Sequence, residues 1–192
     1  MKKKLLLFVL FSVFIVKAQE NISFPASFKL NPKLLSGMVI AEIPAEYKKE
    51  GIINNPAVIE DTHAIRMMAN SDNRDILQLY YEIYETKEED DYGRDDAGVI
   101  VSRFVSEEAL KNNLGELRNQ SNLAYLVKNN YLIKVWSDAS QNSEEHINGM
   151  VNYYQNSLQA ELYQAAEQPG DTTEVVQIEF YEPADSTGIS LW

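Results

Sequence analysis

The feature that most constrains the fold is a pair of strand-like runs, 123–128 and 131–136, separated only by Asn129 and Asn130. Asparagine tolerates the positive φ angles of a two-residue turn, so the sequence predicts a β-hairpin here. Such a short turn also fixes which residues face each other across the two strands. One face, which we call the apolar face, consists of Ala124, Leu126, Lys128, Tyr131, Ile133 and Val135.

The opposite face of this hairpin, which we call the mixed face, is not polar enough to lie in water. It consists of Leu123, Tyr125, Val127, Leu132, Lys134 and Trp136. An exposed patch of this kind usually marks an interaction site. Two explanations stay open. In the first, another part of the chain covers this face. In the second, a partner covers it, and this partner is either a different molecule or a second copy of the chain. The six residues are the predicted partner surface.

The elements around the hairpin follow an order that predicts the fold class. Residues 99–105 have a strand pattern, and Ser106 is a good N-cap for a short helix. Ser143 is the predicted N-cap of a longer helix, whose apolar spacing covers 143–168. Residues 173–181 then alternate as a closing strand. The β-α-β-β-α-β order of 99–181 is that of the ferredoxin-like arrangement. We therefore expect an α+β fold with an antiparallel sheet and both helices on the apolar face.

A second hairpin is predicted before this region. Residues 64–69 and 76–86 have strand-like patterns, and 70–74 is a turn rich in Asn and Asp. In 76–86 apolar and more polar residues alternate with a period of two, as in a half-buried strand. This N-terminal hairpin is expected to extend the antiparallel sheet.

The segment 19–61 is predicted to be largely irregular, because four prolines interrupt it. A short strand at 38–43 and a helical turn near 45–49 are the only regular elements expected there. We expect a single globular domain formed by 62–192, with 19–61 packed on it.

The first 18 residues have the pattern of a signal peptide. Lys2, Lys3 and Lys4 precede an apolar run, 5–16, broken in polarity only by Ser12. The run is too short to cross a bilayer as a helix, which takes about 20 residues, although a short membrane-anchoring segment is the alternative. Cleavage after Ala18 would release a soluble, exported protein, periplasmic or extracellular.

Composition excludes several classes of partner and site. Lys and Arg number 17 against 29 Asp and Glu, and the net charge of −12 argues against nucleic acid and anionic membrane surfaces as partners. The absence of cysteine excludes disulfides, thiolate metal sites and thiol nucleophiles. The two histidines, His63 and His146, belong to no catalytic motif, and we expect both at the surface or at its boundary.

An acidic segment near the middle of the chain is the main candidate for a cation site. Six carboxylates fall within 88–96 and could bind calcium weakly, since calcium prefers oxygen ligands. Their spacing lacks the glycine and the distal glutamate of a calcium loop, so a hydrated connection is the main interpretation. The six residues are Glu88, Glu89, Asp90, Asp91, Asp95 and Asp96.

No residue is predicted to be catalytic, to bind a cofactor or to bind a metal with specificity. The sequence therefore favours a non-enzymatic binding module whose partner is a protein or a small ligand, and a homodimer is possible. The alternative is a secreted hydrolase of glycans or peptides that uses a pair of carboxylates about 5–9.5 Å apart.

Overall fold

The computed structural model describes residues 23–69, 74–87, 94–115 and 117–164. Two short 3-10 helices, Ala26–Phe28 and Pro32–Leu34, come first. The other elements are β1 Met38–Ile40, α1 Ala45–Lys49, β2 Ala57–Ile59, α2 Thr62–Ala69, β3 Ile76–Thr86, β4 Asp96–Phe104, α3 Glu107–Asn112, β5 Leu123–Lys128, β6 Tyr131–Ser137, α4 Ser143–Leu158 and β7 Glu161–Leu162.

The strands form a seven-stranded sheet in the order β1-β3-β4-β6-β5-β7, with β2 also paired to β3. Every pairing is antiparallel. The α+β class with an antiparallel sheet is thus confirmed.

The β5–β6 hairpin has the predicted register. Lys128 faces Tyr131 and Leu123 faces Trp136, so each residue lies on its predicted face. Asn129 has a φ of 52°, the positive angle that the two-residue turn requires.

The ferredoxin-like order is not confirmed. The chain does run from β4 through α3 to β5, with β6 between those two strands. The position beside β4 where a ferredoxin-like sheet places its last strand is, however, taken by β3. The predicted strand 173–181 lies outside the described residues.

The two main helices lie on opposite faces of the sheet, so the expectation that both cover the apolar face is wrong. Met150 and Tyr154 of α4 pack with Ile133 on the apolar face. Leu110 of α3 packs with Leu132 on the mixed face. Phe104, at the end of β4, belongs to the same cluster as Leu110, which shows that the chain enters α3 from the mixed side.

The predicted strand at 64–69 is wrong, because these residues belong to α2, and the N-terminal hairpin does not form. A carboxylate oxygen of Asp61 accepts the backbone N–H of Ala64 at 2.9 Å and caps the helix. Ala64, Ile65 and Met68 then fall on one helical face, packed against β3. The strand predicted at 76–86 is confirmed as β3.

The first residues of α3 and α4 agree with the sequence prediction more closely than the last residue of α4 does. Ser106 caps α3 as predicted, since its hydroxyl accepts the N–H of Ala109 at 3.0 Å. The N-cap of α4 is Asn142 rather than Ser143, whose hydroxyl donates to the carbonyl of Ser137 at 2.6 Å. Helix α4 ends at Leu158, short of residue 168, because Gln159 adopts a left-handed conformation with φ 51°.

The apolar face is covered from within the chain. Phe28, Leu30 and Leu35 lie buried in the same cluster as α4. The hydroxyl of Tyr154 donates to the carbonyl of Phe28 at 2.6 Å, which attaches the N-terminal segment to α4. Any part of the hairpin that is open to a partner therefore lies on the mixed face, which α3 covers in part.

Candidate functional site

The mixed face of the β5–β6 hairpin is divided into a covered and a half-exposed part. Val127 and Leu132 pack against the buried Leu110 of α3. The other four residues are half-buried and belong to none of the hydrophobic clusters of the described chain. We call these four residues the open strip: Leu123, Tyr125, Lys134 and Trp136.

A cleft lies beside the open strip, on the same side of the sheet. Its volume is about 240 Å³. The walls are mainly apolar and come from α1, α2, the strands and the loops between them. The charged groups in the lining are three carboxylates and one guanidinium. The lining residues are Ala41, Glu42, Ile43, Pro44, Tyr47, Ile52, Met68, Ile83, Glu85, Arg94 and Asp96.

The side chain of Asn55 holds one wall of the cleft in place. Its amide donates to the carbonyls of Ala41, at 2.9 Å, and Ile83, at 2.7 Å. Its Oδ1 accepts the N–H of Ile83 at 3.0 Å. One asparagine thus attaches the loop after β1 to β3, and the hydroxyl of Tyr81 donates to the carbonyl of Asn54 beside it.

Two carboxylates lie side by side on the cleft floor. Glu85 of β3 and Asp96 of β4 are direct cross-strand partners, and Cβ atoms in such pairs are about 5 Å apart. Arg94 Nη1 lies 2.6 Å from Glu85 Oε1. The indole N–H of Trp136 donates to Asp96 Oδ1 at 2.5 Å. This bond joins the cleft to the open strip.

The electrostatic surroundings of Asp96 disfavour further negative charge. Burial raises the pKa of its carboxyl group, and the negative charges of Asp138 and Asp95 raise this pKa further. The hydrogen bond from Trp136 and the positive charge of Lys134 act in the opposite direction. A positive group placed in the cleft would stabilise the ionised carboxylate.

The two histidines lie in different environments. His63 is exposed, as predicted, and its Nε2 lies 3.3 Å from Glu50 Oε2. The surface prediction is wrong for His146, which is only 4% exposed. His146 Nδ1 lies 3.1 Å from the hydroxyl of Ser137, which is fully buried. This serine–histidine pair is closed to a substrate and has a packing role.

Acidification is expected to destabilise the protein through His146. Burial lowers the pKa of His146, and the nearby Glu145 only partly opposes this. The unfolded chain therefore takes up a proton at a higher pH than the folded chain does. The contribution of His146 to stability is complete above about pH 6.5, the unperturbed pKa of histidine, and is lost as the pH falls below it.

Urea unfolding measured between pH 7.5 and pH 5.5 tests this expectation. H146N should show a smaller loss of unfolding free energy over this interval than the unsubstituted chain. H63Q, which replaces the exposed histidine, serves as the matched control and should keep the original loss. Equal slopes for the unsubstituted chain and H146N would show that burial of His146 has no such effect.

Only two of the six predicted calcium ligands can be placed. Asp95 Oδ2 accepts the N–H of Ser140 at 2.7 Å, and Asp96 accepts the Trp136 indole. Residues 88–91 lie outside the described residues. Across the part of the chain that the structure describes, no group of three or more His, Asp or Glu could hold a metal ion. None of the helices in the described ranges combines the length and the apolar character that crossing a bilayer requires.

The sequence identified parts of this site but not the cleft. Trp136 was predicted as part of a partner surface, and Asp96 only as a calcium ligand. Nothing in the sequence pointed to Asn55 or Arg94, because their hydrogen bonds and ion pair join segments that are distant in the chain.

Comparison with protein-family models, curated proteins and solved structures finds no match to the chain.

Proposed function

We propose that this protein is an exported, non-enzymatic binding module that takes its ligand or partner on the open strip and the adjoining cleft. The observation that carries the proposal is the hydrogen bond from Trp136 to Asp96, since it makes the strip and the cleft one continuous surface. The proposed export depends on the basic and apolar pattern of the first 18 residues.

The composition of this surface supports recognition. Tyr125 and Trp136 combine an apolar ring with a polar group, a property that favours both residues in binding interfaces. Lys134 lies with its Nζ 5.8 Å from the Trp136 ring centroid, so its charge is held along the strip. The net charge of −12 supports a partner that is neither nucleic acid nor an anionic membrane.

A hydrolase is the second candidate, favoured by the adjacent carboxylates of Glu85 and Asp96 in a cleft. Burial raises the pKa of Asp96, which is the direction that suits a general acid. Both carboxylates are already engaged, however, by Arg94 and Trp136. We therefore place binding before catalysis.

Replacing Leu123 with glutamate is expected to prevent partner capture without unfolding the chain. The half-buried Leu123 lies on the open strip, outside the hydrophobic clusters, so a charge there should disturb the surface more than the core. We expect capture from the native exported fraction to fall about tenfold or more, as at the centre of an interface. The measurement is affinity capture with the full chain, accompanied by circular dichroism.

V105E is the matched control, because Val105 is 50% exposed and lies away from the strip. It should keep the captured partner. If both variants capture equally, or if L123E is unfolded, the open strip is not the binding surface. A dimer that L123E converts into a monomer would identify the partner as a second copy of the chain. Turnover of a glycan or peptide that is lost in D96N would favour the hydrolase.

A further inference from the structure

The size of the cleft limits what it can hold. At about 240 Å³ it is smaller than the roughly 300–1,000 Å³ of sites for drug-sized molecules. Ile43, Ile52, Met68 and Ile83 give it apolar walls, and Tyr47 adds an aromatic ring. These walls fit the apolar body of one small organic molecule.

The charges of the cleft indicate which small molecule fits. Among the described residues that line it, Glu42, Glu85 and Asp96 are acidic, and Arg94 is the only basic one. Arg94 is paired with Glu85 at 2.6 Å, which leaves the negative charge of the cleft in excess. The burial of Asp96 and its acidic neighbours strengthens the preference for a cation and disfavours an anion.

We infer that the cleft binds a small organic cation, an amine whose apolar body lies against Ile83 and Met68 and whose ammonium group meets the carboxylate of Asp96. This inference rests on the proposed function, because it names the ligand class of the same surface. Tyr47 adds an aromatic ring to the lining, and aromatic rings attract ammonium groups. The cleft would thus recognise the amine through the opposite charges of its ammonium group and the Asp96 carboxylate, and through contact of its apolar body with the walls.

Calorimetric titration of the full chain with three compounds of similar shape tests the inference. The probes are 2-phenylethylamine, 2-phenylethanol and 3-phenylpropionate, which carry a positive, no and a negative charge at pH 7. We expect the amine to bind about tenfold more tightly than the alcohol, the effect of one partly buried charge pair. We expect the carboxylate to bind more weakly than the alcohol.

Two variants separate the role of Asp96 from general charge effects. In D96N the side-chain oxygen can still accept the Trp136 N–H, but the charge is gone, so the amine should lose its advantage over the alcohol. E144Q removes an equal charge from an exposed carboxylate of α4, on the opposite face of the sheet and outside the cleft lining, and it should keep the preference. Methyl resonances of the methionines locate the ligand, because Met68 lines the cleft while Met150 is fully buried on the opposite face.

The inference holds if the amine binds most tightly, shifts Met68 but not Met150, and loses its advantage in D96N. It is overturned if the alcohol and the carboxylate bind as well as the amine, if Met68 does not respond, or if none of the three binds. These failures leave the partner-capture result for L123E unaffected, since that experiment tests the open strip. Failure of both experiments would remove the proposed function itself.

Discussion

Replacing Glu82 with alanine is expected to lower the free energy of unfolding by about 4 kcal/mol, as estimated from the cost of leaving buried donors unpaired. Glu82 is only 5% exposed and lies on the apolar side of the sheet. Its Oε2 accepts the hydroxyl of Tyr80 at 2.5 Å and the backbone N–H of Leu30 at 2.9 Å. Its Oε1 accepts the hydroxyl of Tyr84 at 2.6 Å. Alanine would leave all three donors without this acceptor.

The carboxylate is stable in this environment because the three donors replace the water that it loses on burial. Burial raises the pKa of Tyr80 and of Tyr84, and the bond to Glu82 raises both further. Both hydroxyls therefore stay protonated at neutral pH and continue to donate. The bond to Leu30 has a further consequence, since it fixes the N-terminal segment on the sheet next to Phe28, which is fully buried.

Urea unfolding of a small set of variants checks this expectation. Y80F and Y84F each remove one donor and should cost about 1 kcal/mol, much less than E82A. E85A is the matched control, because Glu85 takes part in a more exposed ion pair with Arg94 and should cost less than about 1 kcal/mol. An E82A variant no less stable than E85A would show that the three hydrogen bonds are not important for folding.

The parts of the fold that follow from local chemistry could be predicted. The positive φ of Asn129 and the two-residue loop fix the register of β5 and β6, so the face of every hairpin residue was predictable. Ser106 caps α3 for a similarly local reason, since its hydroxyl reaches an N–H three residues later. The alternation in 76–86 predicts a half-buried strand, and the structure confirms the strand as β3. Its predicted half-buried character is wrong, because clusters on both faces bury Leu79, Tyr80 and Tyr81.

The errors arise where tertiary contacts decide between local alternatives. Residues 64–69 are few enough that an alternating and a helical spacing of apolar residues both fit. Packing of Ile65 and Met68 against β3, together with the Asp61 cap, selects the helix. The side on which α3 lies depends on its contact with Leu132, which comes more than twenty residues later in the chain. His146 is buried because it faces Ser137 at the end of β6.

The candidate site shows the same division. The mixed face could be predicted from the hairpin alone, but the cleft depends on pairings between distant segments. The amide of Asn55 donates to the carbonyls of Ala41 and Ile83. The spacing of apolar residues in the sequence does not predict hydrogen bonds of this kind. Asp96 and Trp136 were assigned to two unrelated features, a cation site and a partner surface. Their hydrogen bond requires β4 and β6 to be neighbours, a pairing that local sequence does not specify.

Replacing Gly98 with alanine is expected to lower the free energy of unfolding by about 3 kcal/mol, at the upper end of the cost of overpacking. A Cβ atom at Gly98 would lie 2.4 Å from the carbonyl oxygen of Glu82, 3.0 Å from Cη2 of Trp136 and 3.1 Å from Cα of Ile83. The first and last of these are backbone atoms of β3, which cannot move without separating β3 from β4. Trp136 would also have to shift, and its bond to Asp96 would weaken.

Gly149 provides a matched control for this substitution. A Cβ there would lie 3.6 Å from Leu34 Cδ2, an ordinary contact, and alanine favours a helix over glycine by about 0.8–1 kcal/mol. Urea unfolding should therefore show a destabilised G98A and a G149A that is at least as stable as the unsubstituted chain. An indole N–H resonance of Trp136 that moves in G98A and not in G149A would place the damage at the site as well as in the sheet. Equal stability of G98A and G149A would mean that β3 and β4 do not approach as closely as Gly98 allows.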